Sequence, residues 1–213
     1  LPSKSVQPQS TTTEPYSADR LITVTTSSIK MWIDLEGGDV VRVLLPKFPV
    51  QIDDPDIPFV LLDQGQQRIY VAQSGLIGAD GTDSNGERPL FSSERTSYVL
   101  DQDELEVVLR ADVAGNPVEK IFRFRADDYL VDVEYRVVNN TTSPFEAGMF
   151  AQIKRDRLPP TLQESFFLAP QPFYGGATTT LENRYEKLEF EDIDEQSVGF
   201  TQQGGWIAFL QHY

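Results

Sequence analysis

The stretch PVEKIFRFRADDYLVDVEYRVVNN, residues 117–140, decides the fold of this chain. Its second half alternates apolar with charged side chains and places on one face Tyr129, Val131, Val133, Tyr135 and Val137. Its first half alternates in the same way, with Phe122 and Phe124 opposite two arginines. Such period-two alternation is typical of a β-strand with one buried face. The short polar segment between the halves, Ala126–Asp128, predicts a reversal, so the whole stretch predicts a long antiparallel hairpin.

The same alternation recurs along the rest of the chain. Apolar residues alternate with polar ones from Ile29 to Leu35, the pair Gly37–Gly38 supplies a turn, and Val41 to Leu45 resume the apolar face. Further strands are predicted within residues 21–24, 59–62, 68–71, 97–100, 104–111, 145–154 and 204–213, with a polar loop at 49–58 and a surface excursion at 75–89. Many short strands separated by Gly and Pro turns predict an all-β, antiparallel sandwich or barrel.

The composition limits the partners that the chain can bind. The formal net charge is −15, from 33 acidic against 18 basic residues. Such a surface repels phosphate backbones and anionic lipid headgroups, so nucleic-acid binding and electrostatic membrane docking are not expected. The sequence contains no cysteine, which excludes disulfides, thiolate zinc sites and cysteine nucleophiles. It also contains no run of about 18 apolar residues, and it therefore predicts a soluble chain.

The sequence offers little catalytic chemistry. His212 is the only histidine, and we interpret it as an ordinary strand histidine close to the end of the sequence. The motifs HExxH and GxSxG and the phosphate-binding loop are absent from the sequence. The acidic loop around Asp80 and Asp83 lacks the every-second-residue ligand spacing of a calcium site, so we predict a solvated turn there. We therefore predict no catalytic residue, no metal site and no cofactor.

Several aromatic residues lie late in the chain next to polar ones. They are Phe173, Tyr174, Tyr185, Trp206 and Tyr213. Most aromatic side chains of this kind are core residues or members of cross-strand pairs. The other interpretation is a partner-binding surface, because aromatic side chains bordered by polar ones often supply the binding energy of an interface. The residues themselves leave both interpretations open.

The order of several short motifs resembles a known family. The motifs are GGDV at 37–40, LLP at 44–46, AQSGL at 72–76, RPL at 88–90, LPP at 158–160, YEK at 185–187 and GGWIAFLQ at 204–211. Each motif alone is weak, but their order and spacing across residues 21–213 are specific. Together they resemble the large periplasmic domain of the YidC family of bacterial membrane-protein insertases.

The resemblance implies a fold, a location and a domain organisation. The implied fold is an antiparallel β-supersandwich similar to galactose mutarotase, on the periplasmic side of the inner membrane, over residues 20–213. Residues 1–19 are rich in Ser, Thr, Gln and Pro and read as a flexible linker, which in this family joins an N-terminal membrane anchor to the domain. Family domains continue beyond the Gly-Gly-Trp strand, so a sequence ending at Tyr213 is expected to form a sandwich truncated at its C-terminal end.

The resemblance also implies a function. It predicts a non-enzymatic module that supports insertion and folding of inner-membrane proteins through contacts with Sec translocon components or nascent membrane proteins. We place the partner surface on Phe173, Tyr174, Tyr185, Lys187, Trp206 and Tyr213. The alternative is a carbohydrate-binding or aldose-epimerase-like β-sandwich. Epimerase chemistry needs an acid and a base on opposite sides of a sugar ring, and His212 is the only imidazole in the sequence.

Overall fold

A computed structural model of the chain describes residues 18–51, 53–65, 68–84, 86–156, 173, 175–190, 193, 201 and 203–210. The described residues divide into two compact units, one ending at Arg155 and the other beginning at Asp156. The predicted partition into a linker and one domain at residues 20–213 stays a prediction. Most of the predicted linker, residues 1–17, lies outside the described residues.

The first unit is built from strands after a 3-10 turn at Ala18–Arg20. Its described residues contain eleven strands in chain order: β1 Leu21–Thr25, β2 Lys30–Asp34, β3 Asp39–Gln51, β4 Asp54–Gln64, β5 Ile69–Ile77, β6 Ser92–Ser93, β7 Ser97–Val99, β8 Glu104–Val113, β9 Asn116–Arg125, β10 Val131–Val137 and β11 Gly148–Arg155. The predicted all-β fold is confirmed. It follows from the period-two patterns, because alternate side chains of a strand point to opposite faces.

These strands form two sheets that pack against each other. One sheet has the order β11-β5-β4-β3-β2-β1-β7 and is antiparallel except for the parallel pair β1 and β7. The other has the antiparallel order β10-β9-β8-β6. Buried side chains of both sheets share one core, which includes Ile22, Val24, Ile33, Val107, Leu109, Phe122 and Phe124. The sandwich is thereby confirmed, and the likeness to galactose mutarotase stays a prediction.

The hairpin that opens the sequence analysis forms β9 and β10 as predicted. The two strands pair antiparallel in one uninterrupted register. Phe122 and Phe124 are buried on the inner face. On the outer face Arg123 bonds to Glu106 at 2.6 Å and to Glu134 at 2.5 Å, so it links three neighbouring strands. The alternation of the sequence therefore separates the core face from a solvated face of cross-strand ion pairs.

The turn between β9 and β10 lies where the sequence predicts it. Asp127 adopts a positive φ of 58°, a conformation that aspartate tolerates better than most residues. Tyr129, which the alternation placed on the buried face of the strand, precedes β10 and is 43% exposed. The prediction for this tyrosine is wrong because the strand begins two residues later than the alternation indicates.

The predicted polar loop at residues 49–58 is wrong. Both β3 and β4 extend through this segment and form the end of a two-stranded ribbon, in which Pro49 lies opposite Pro58. Proline lacks a backbone N–H, so within a sheet it is tolerated mainly where the edge of the strand is free. Past Leu44, the last described residue of β3 that pairs with β2, the ribbon edge is free of that strand. The prolines therefore indicate a free edge here and not a loop.

The predicted surface excursion at residues 75–89 is wrong in two respects. Its first three residues, Gly75–Ile77, belong to β5. The loop that follows turns back over the end of this strand, and the backbone N–H of Asp83 donates to the carbonyl of Leu76 at 2.9 Å. As a result, the Asp83 residue is only 8% exposed. The loop delivers charged side chains to the interior.

In the second unit the described residues include three strands: β12 Gly175–Thr178, β13 Glu186–Glu189 and β14 Ile207–Leu210. They form an antiparallel sheet in the order β13-β12-β14. The predicted strand at 204–213 thus contains β14, and the predicted extended link at 158–160 lies outside the described residues. None of the helical residues in the described part of the chain belongs to a helix long and apolar enough to cross a membrane.

Candidate functional site

A group of charged and polar side chains lies in the interior of the first unit. Asp39 begins β3, Gln73 lies on β5 and Lys120 lies on β9. Asp83 and Arg88 come from the loop between β5 and β6. We call these five residues the ionic cluster. It joins both sheets and one loop through side chains that the sequence analysis did not single out as a site.

Lys120 links the two sheets. The residue is 1% exposed, and its Nζ donates to the carbonyl of Gly37 at 2.9 Å and to that of Ser74 at 3.0 Å. Lys120 has the same strand parity as Phe122 and Phe124, and this parity is the core face of β9. A lysine on the apolar face of an otherwise regular strand was therefore the available sequence signal. Burying an ammonium group is costly unless it is hydrogen-bonded and paired.

Arg88 lies beside the same two carbonyl groups. Its guanidinium bonds to the carboxylates of Asp39 and Asp83. It also donates to the carbonyl of Gly37 at 3.3 Å and to that of Ser74 at 3.1 Å. One arginine thus holds two carboxylates that are themselves largely buried. Two cations and two carboxylates balance the formal charge of the ionic cluster.

The carboxylates have further partners. Gln73 donates its amide to Asp39 at 2.5 Å. Asp83 accepts a hydrogen bond from the backbone N–H of Leu76 at 3.1 Å and another from the Thr82 hydroxyl at 2.7 Å. Buried carboxylates persist in folded proteins when their oxygens are satisfied in this way. The Asp83 bonds explain why the acidic loop packs inward.

Burial shifts the pKa of several groups in and beside the cluster. Desolvation lowers the pKa of Lys120 to about 7, although attraction to Asp39 opposes the shift. Desolvation also raises the pKa of Asp39, against the attraction of Arg88. Tyr135 lies beside the cluster with its hydroxyl 3.4 Å from that of Ser74, and burial raises its pKa to about 12. In each case the low-dielectric interior disfavours the charged form.

The lowered pKa of Lys120 predicts a pH-dependent stability. Above pH 7 the folded state releases this proton, whereas an unfolded chain holds it up to the ordinary lysine pKa of 10.5. The unfolded state therefore binds more protons in this interval, and the free energy of unfolding should rise with pH, by at most about 1.4 kcal/mol per pH unit. Urea unfolding between about pH 7.5 and 9 should show a gain of up to about 2 kcal/mol.

The measurement needs a signal from the first unit alone. The sequence contains two tryptophans, so Trp206→Phe leaves Trp32 of β2 as the only indole reporter. In this background Lys120→Met should abolish the rise, because methionine cannot ionise. If the free energy of unfolding rises equally with pH with and without Lys120→Met, Lys120 does not titrate in this interval.

The ionic cluster is built for structure. Apart from the Arg88 Nε, which has no hydrogen-bond partner in the described part of the chain, its donors and acceptors bond to one another, to the main chain and to the neighbouring side chains of Thr82 and Gln152. Among the described residues, no group of three or more His, Cys, Asp or Glu side chains is arranged to hold a metal ion. In the loop considered for calcium, Asp83 is turned to Arg88, while Asp80 accepts a hydrogen bond from the backbone N–H of Glu146 at 2.8 Å. The two carboxylates thus serve different partners.

Four of the six residues predicted to bind partners lie in the described part of the second unit, and they form two pairs. The rings of Tyr185 and Trp206 are 6.0 Å apart between centroids and tilted by 39°. The ammonium of Lys187 lies over the ring of Phe173, 4.6 Å from its centroid. The other two predicted residues, Tyr174 and Tyr213, lie outside the described part of the chain. His212, which was considered for catalysis, also lies outside it.

Register places the first pair at one end of the three-stranded sheet. Thr178, the last residue of β12, pairs with Glu186 of β13 and with Ile207 of β14. Tyr185 and Trp206 each precede one of these partners, so both lie at the end of β12 and contact each other. We call the group formed by this pair, Ile207 and Leu181 of the β12–β13 loop the aromatic end. The sequence analysis did not name the two aliphatic members, because it chose its candidates from late aromatic residues and one neighbouring lysine.

The fold and these sites define an all-β sandwich domain with a structural ionic cluster and exposed apolar groups on its surface. The family model of the YidC periplasmic domain matches residues 21–213. Three membrane protein insertases named YidC are similar to the chain. The identities are 41% over 215 residues for Cellvibrio japonicus, 40% over 196 for Azotobacter vinelandii and 39% over 208 for Alcanivorax borkumensis. These alignments cover 100%, 91% and 94% of the chain.

The chain belongs to the YidC periplasmic domain family. It spans 38%, 35% and 35% of the length of these three relatives. Membership in the family places the domain on the periplasmic side of the bacterial inner membrane and in a non-enzymatic family. The resemblance that the motif order indicated is thereby confirmed.

Proposed function

We propose that this domain is a partner-binding module of a membrane-protein insertase, which contacts Sec translocon components or nascent membrane proteins through the aromatic end. The observation that carries the proposal is the exposure of these side chains. Tyr185 is 52% exposed and Trp206 is 45% exposed, although the two rings contact each other. Leu181 and Ile207 are more exposed still, at 85% and 71%.

The physical argument starts from the cost of exposed apolar groups. A single exposed leucine or isoleucine is ordinary on a protein surface. Four exposed apolar residues at or next to one end of a three-stranded sheet, two of them aromatic rings in mutual contact, are a different case, because clustered apolar surface often marks a protein interaction site. Tyrosine and tryptophan are also the residues most often found to dominate binding energy at interfaces.

A cation accompanies the aromatic residues. Lys187 lies on β13, and its side chain is stacked over Phe173. The cation–π contact orients the ammonium, and the exposed residue can still meet an acidic group of a partner. This arrangement supports a surface that combines apolar anchors with one oriented positive charge.

The test is site-specific cross-linking in the full-length insertase that carries this domain, in inner-membrane vesicles. The double variant Tyr185→Ala/Trp206→Ala should reduce cross-links to Sec components or to a translating nascent chain at least about fivefold, since truncating an interface anchor usually costs more than 1 kcal/mol. The matched control Leu90→Ala/Val99→Ala removes two exposed apolar side chains of the first unit and should leave the yield unchanged. Equal yields in both variants would contradict the placement of the surface.

The alternative function is a carbohydrate-active sandwich. Family membership decides against its enzymatic form, because the YidC periplasmic domain belongs to a non-enzymatic family. Sugar binding without catalysis would be detected by calorimetric titration with common hexoses, and binding at about millimolar affinity or tighter would support it.

A further inference from the structure

The ends of β3 and β4 project as a two-stranded ribbon from the seven-stranded sheet. Among the described residues, β3 pairs with β2 only up to Leu44, and β4 pairs with β5 only at Asp63 and Gln64. In the strand pairing, residues 45–51 and 53–59 therefore have partners within the ribbon alone. We call these residues the arm. An isolated two-stranded ribbon is only marginally stable in water, so contacts outside the ribbon must support it.

Two contacts fix the arm against the turn between β9 and β10. The ring of Phe48 lies 5.8 Å from that of Tyr129, between centroids. Lys47 bonds to the carboxylate of Asp127 at 2.7 Å, and Ser27 donates a hydrogen bond to the same carboxylate at 3.0 Å. The arm and the turn therefore form one continuous surface.

This surface is apolar and exposed. Its members range from 43% exposure for Tyr129 to 58% for Leu130, and we call them the arm patch: Phe48, Val50, Ile57, Tyr129 and Leu130. Val50 and Ile57 flank the cross-strand pair of Pro49 and Pro58. Five large exposed apolar side chains on the arm and the adjoining turn are not explained by the core of the sandwich. They are the kind of surface that binds a partner.

The charges around the arm patch are almost all negative. The arm and the turn contain one lysine, Lys47, and five aspartates: Asp53, Asp54, Asp56, Asp127 and Asp128. The other nearby cation is Arg125 at the end of β9, which acts on Asp128 and is paired with Asp132. The lysine is already paired with Asp127. Asp128 accepts backbone hydrogen bonds from Tyr129 and Leu130, which lower its pKa and keep it ionised.

The charge pattern selects among possible occupants. A second copy of this chain would bring a further net charge of −15 against the same carboxylates. An anionic lipid surface would be repelled in the same way. A positively charged partner would gain from the carboxylates while its apolar side chains cover the arm patch.

Four prolines select among the possible shapes of the partner. Pro46 and Pro49 lie on β3, and Pro55 and Pro58 lie on β4. Each lacks the N–H that an added strand would require, so the free edges of the arm are poor templates for strand addition. Recognition must then use side chains. An amphipathic helix, which presents its apolar face to an apolar surface, is the peptide shape that meets this requirement.

From this combination we propose that the arm patch binds a basic amphipathic helix of a partner protein. Its residues differ from those of the aromatic end, which belongs to the second unit. It does not depend on the function proposed for the aromatic end, and its test uses different residues.

The probe is a fluorescently labelled Leu–Lys peptide of about 14 residues with helical apolar spacing, titrated with the 213-residue chain and followed by anisotropy. The double variant Phe48→Ser/Ile57→Ser should weaken binding at least about tenfold, because two apolar anchors are lost. The matched control Leu90→Ser/Val99→Ser removes two similarly exposed apolar side chains elsewhere in the first unit and should leave the affinity within about twofold.

A charge series tests the second part of the proposal. Asp53→Asn/Asp54→Asn/Asp56→Asn should weaken binding at about 0.05 M salt. The affinity of this variant should also fall less between about 0.05 and 0.3 M salt, because the attractions that salt screens have been removed. The matched control Glu87→Gln/Glu94→Gln/Glu146→Gln removes the same formal charge at exposed positions outside the arm. This control should reduce the affinity at about 0.05 M salt by less than half as much as the aspartate triple variant does.

Several outcomes would overturn the proposal. One is equal peptide affinity for the two serine double variants, both confirmed as folded by their unfolding curves. Another is equal binding of a Leu–Glu peptide of the same length. Self-association in sedimentation that Phe48→Ser/Ile57→Ser abolishes would assign the arm patch to a second copy. Flotation with anionic phosphatidylglycerol vesicles that the same variant abolishes would assign it to lipid.

Discussion

Replacing Arg88 by methionine should lower the free energy of unfolding of the first unit by about 3–5 kcal/mol. The guanidinium of Arg88 bonds to Asp39 and Asp83, and these residues are only 6% and 8% exposed. Methionine fills part of the space but leaves two buried carboxylates without their main counter-ion. An uncompensated buried charge costs more than the original pair contributed, and for this reason the loss should be large.

The measurement is urea unfolding at neutral pH, followed by Trp32 fluorescence in the Trp206→Phe background. Arg110→Met is the matched control, because Arg110 bonds to Glu94 and Glu119 on the exposed face of β8. Exposed ion pairs usually contribute no more than about 1 kcal/mol. If Arg88→Met and Arg110→Met lower the free energy of unfolding by similar amounts, the buried ionic cluster contributes no more to stability than an exposed ion pair.

A second large effect is expected for Gly37→Ala. Gly37 adopts a φ of 77°, and a Cβ at this position would overlap the guanidinium of Arg88. The left-handed conformation costs an alanine about 1–2 kcal/mol. Displacing a guanidinium that is held by two carboxylates and two carbonyls should add about 1–3 kcal/mol, as overpacking does in protein cores. We expect a total loss of about 2–4 kcal/mol in the free energy of unfolding.

Gly115→Ala separates the two contributions. Gly115 has a similar φ of 83°, and a Cβ there would have no neighbouring atom within 4 Å. This variant should show only the conformational cost, in the same unfolding measurement. If both alanine variants lower the free energy of unfolding equally, the close approach of Arg88 to Gly37 does not contribute to the loss. Gly37 would then be needed only for the turn.

The ionic cluster supports the strands that lead to the arm patch. Lys120 bonds to Gly37 and Ser74 and thereby ties β9 to the β2–β3 turn and to β5. β9 leads directly into the turn that carries Tyr129, and β3 leads into the arm. A rigid connection at the cluster therefore fixes the strands from which the arm patch is built. Surfaces placed on firmly held strands bind with less loss of conformational entropy.

Part of the site was predictable, and part was not. The sequence analysis chose the late aromatic residues as candidates, and their role in binding stays a prediction. The contact of Tyr185 with Trp206 could not be derived from the sequence, because it depends on the register of the three-stranded sheet. The arm could not be predicted because its prolines are compatible with either a loop or a free ribbon edge. Only the pairing of Pro49 with Pro58 distinguishes the two.

The sequence by itself determined the all-β class, most strands of the first unit, the core face of β9 and the family. Side-chain direction in a strand alternates with every residue, so the pattern of Phe122, Arg123 and Phe124 fixes the core face locally, before any tertiary contact forms. The tertiary structure alone decided the ionic cluster. Lys120 and Gly37 are 83 residues apart, and no local pattern encodes that pairing. Charged side chains far apart in the sequence meet there because the packed interior excludes water and leaves one another and the main chain as their remaining partners.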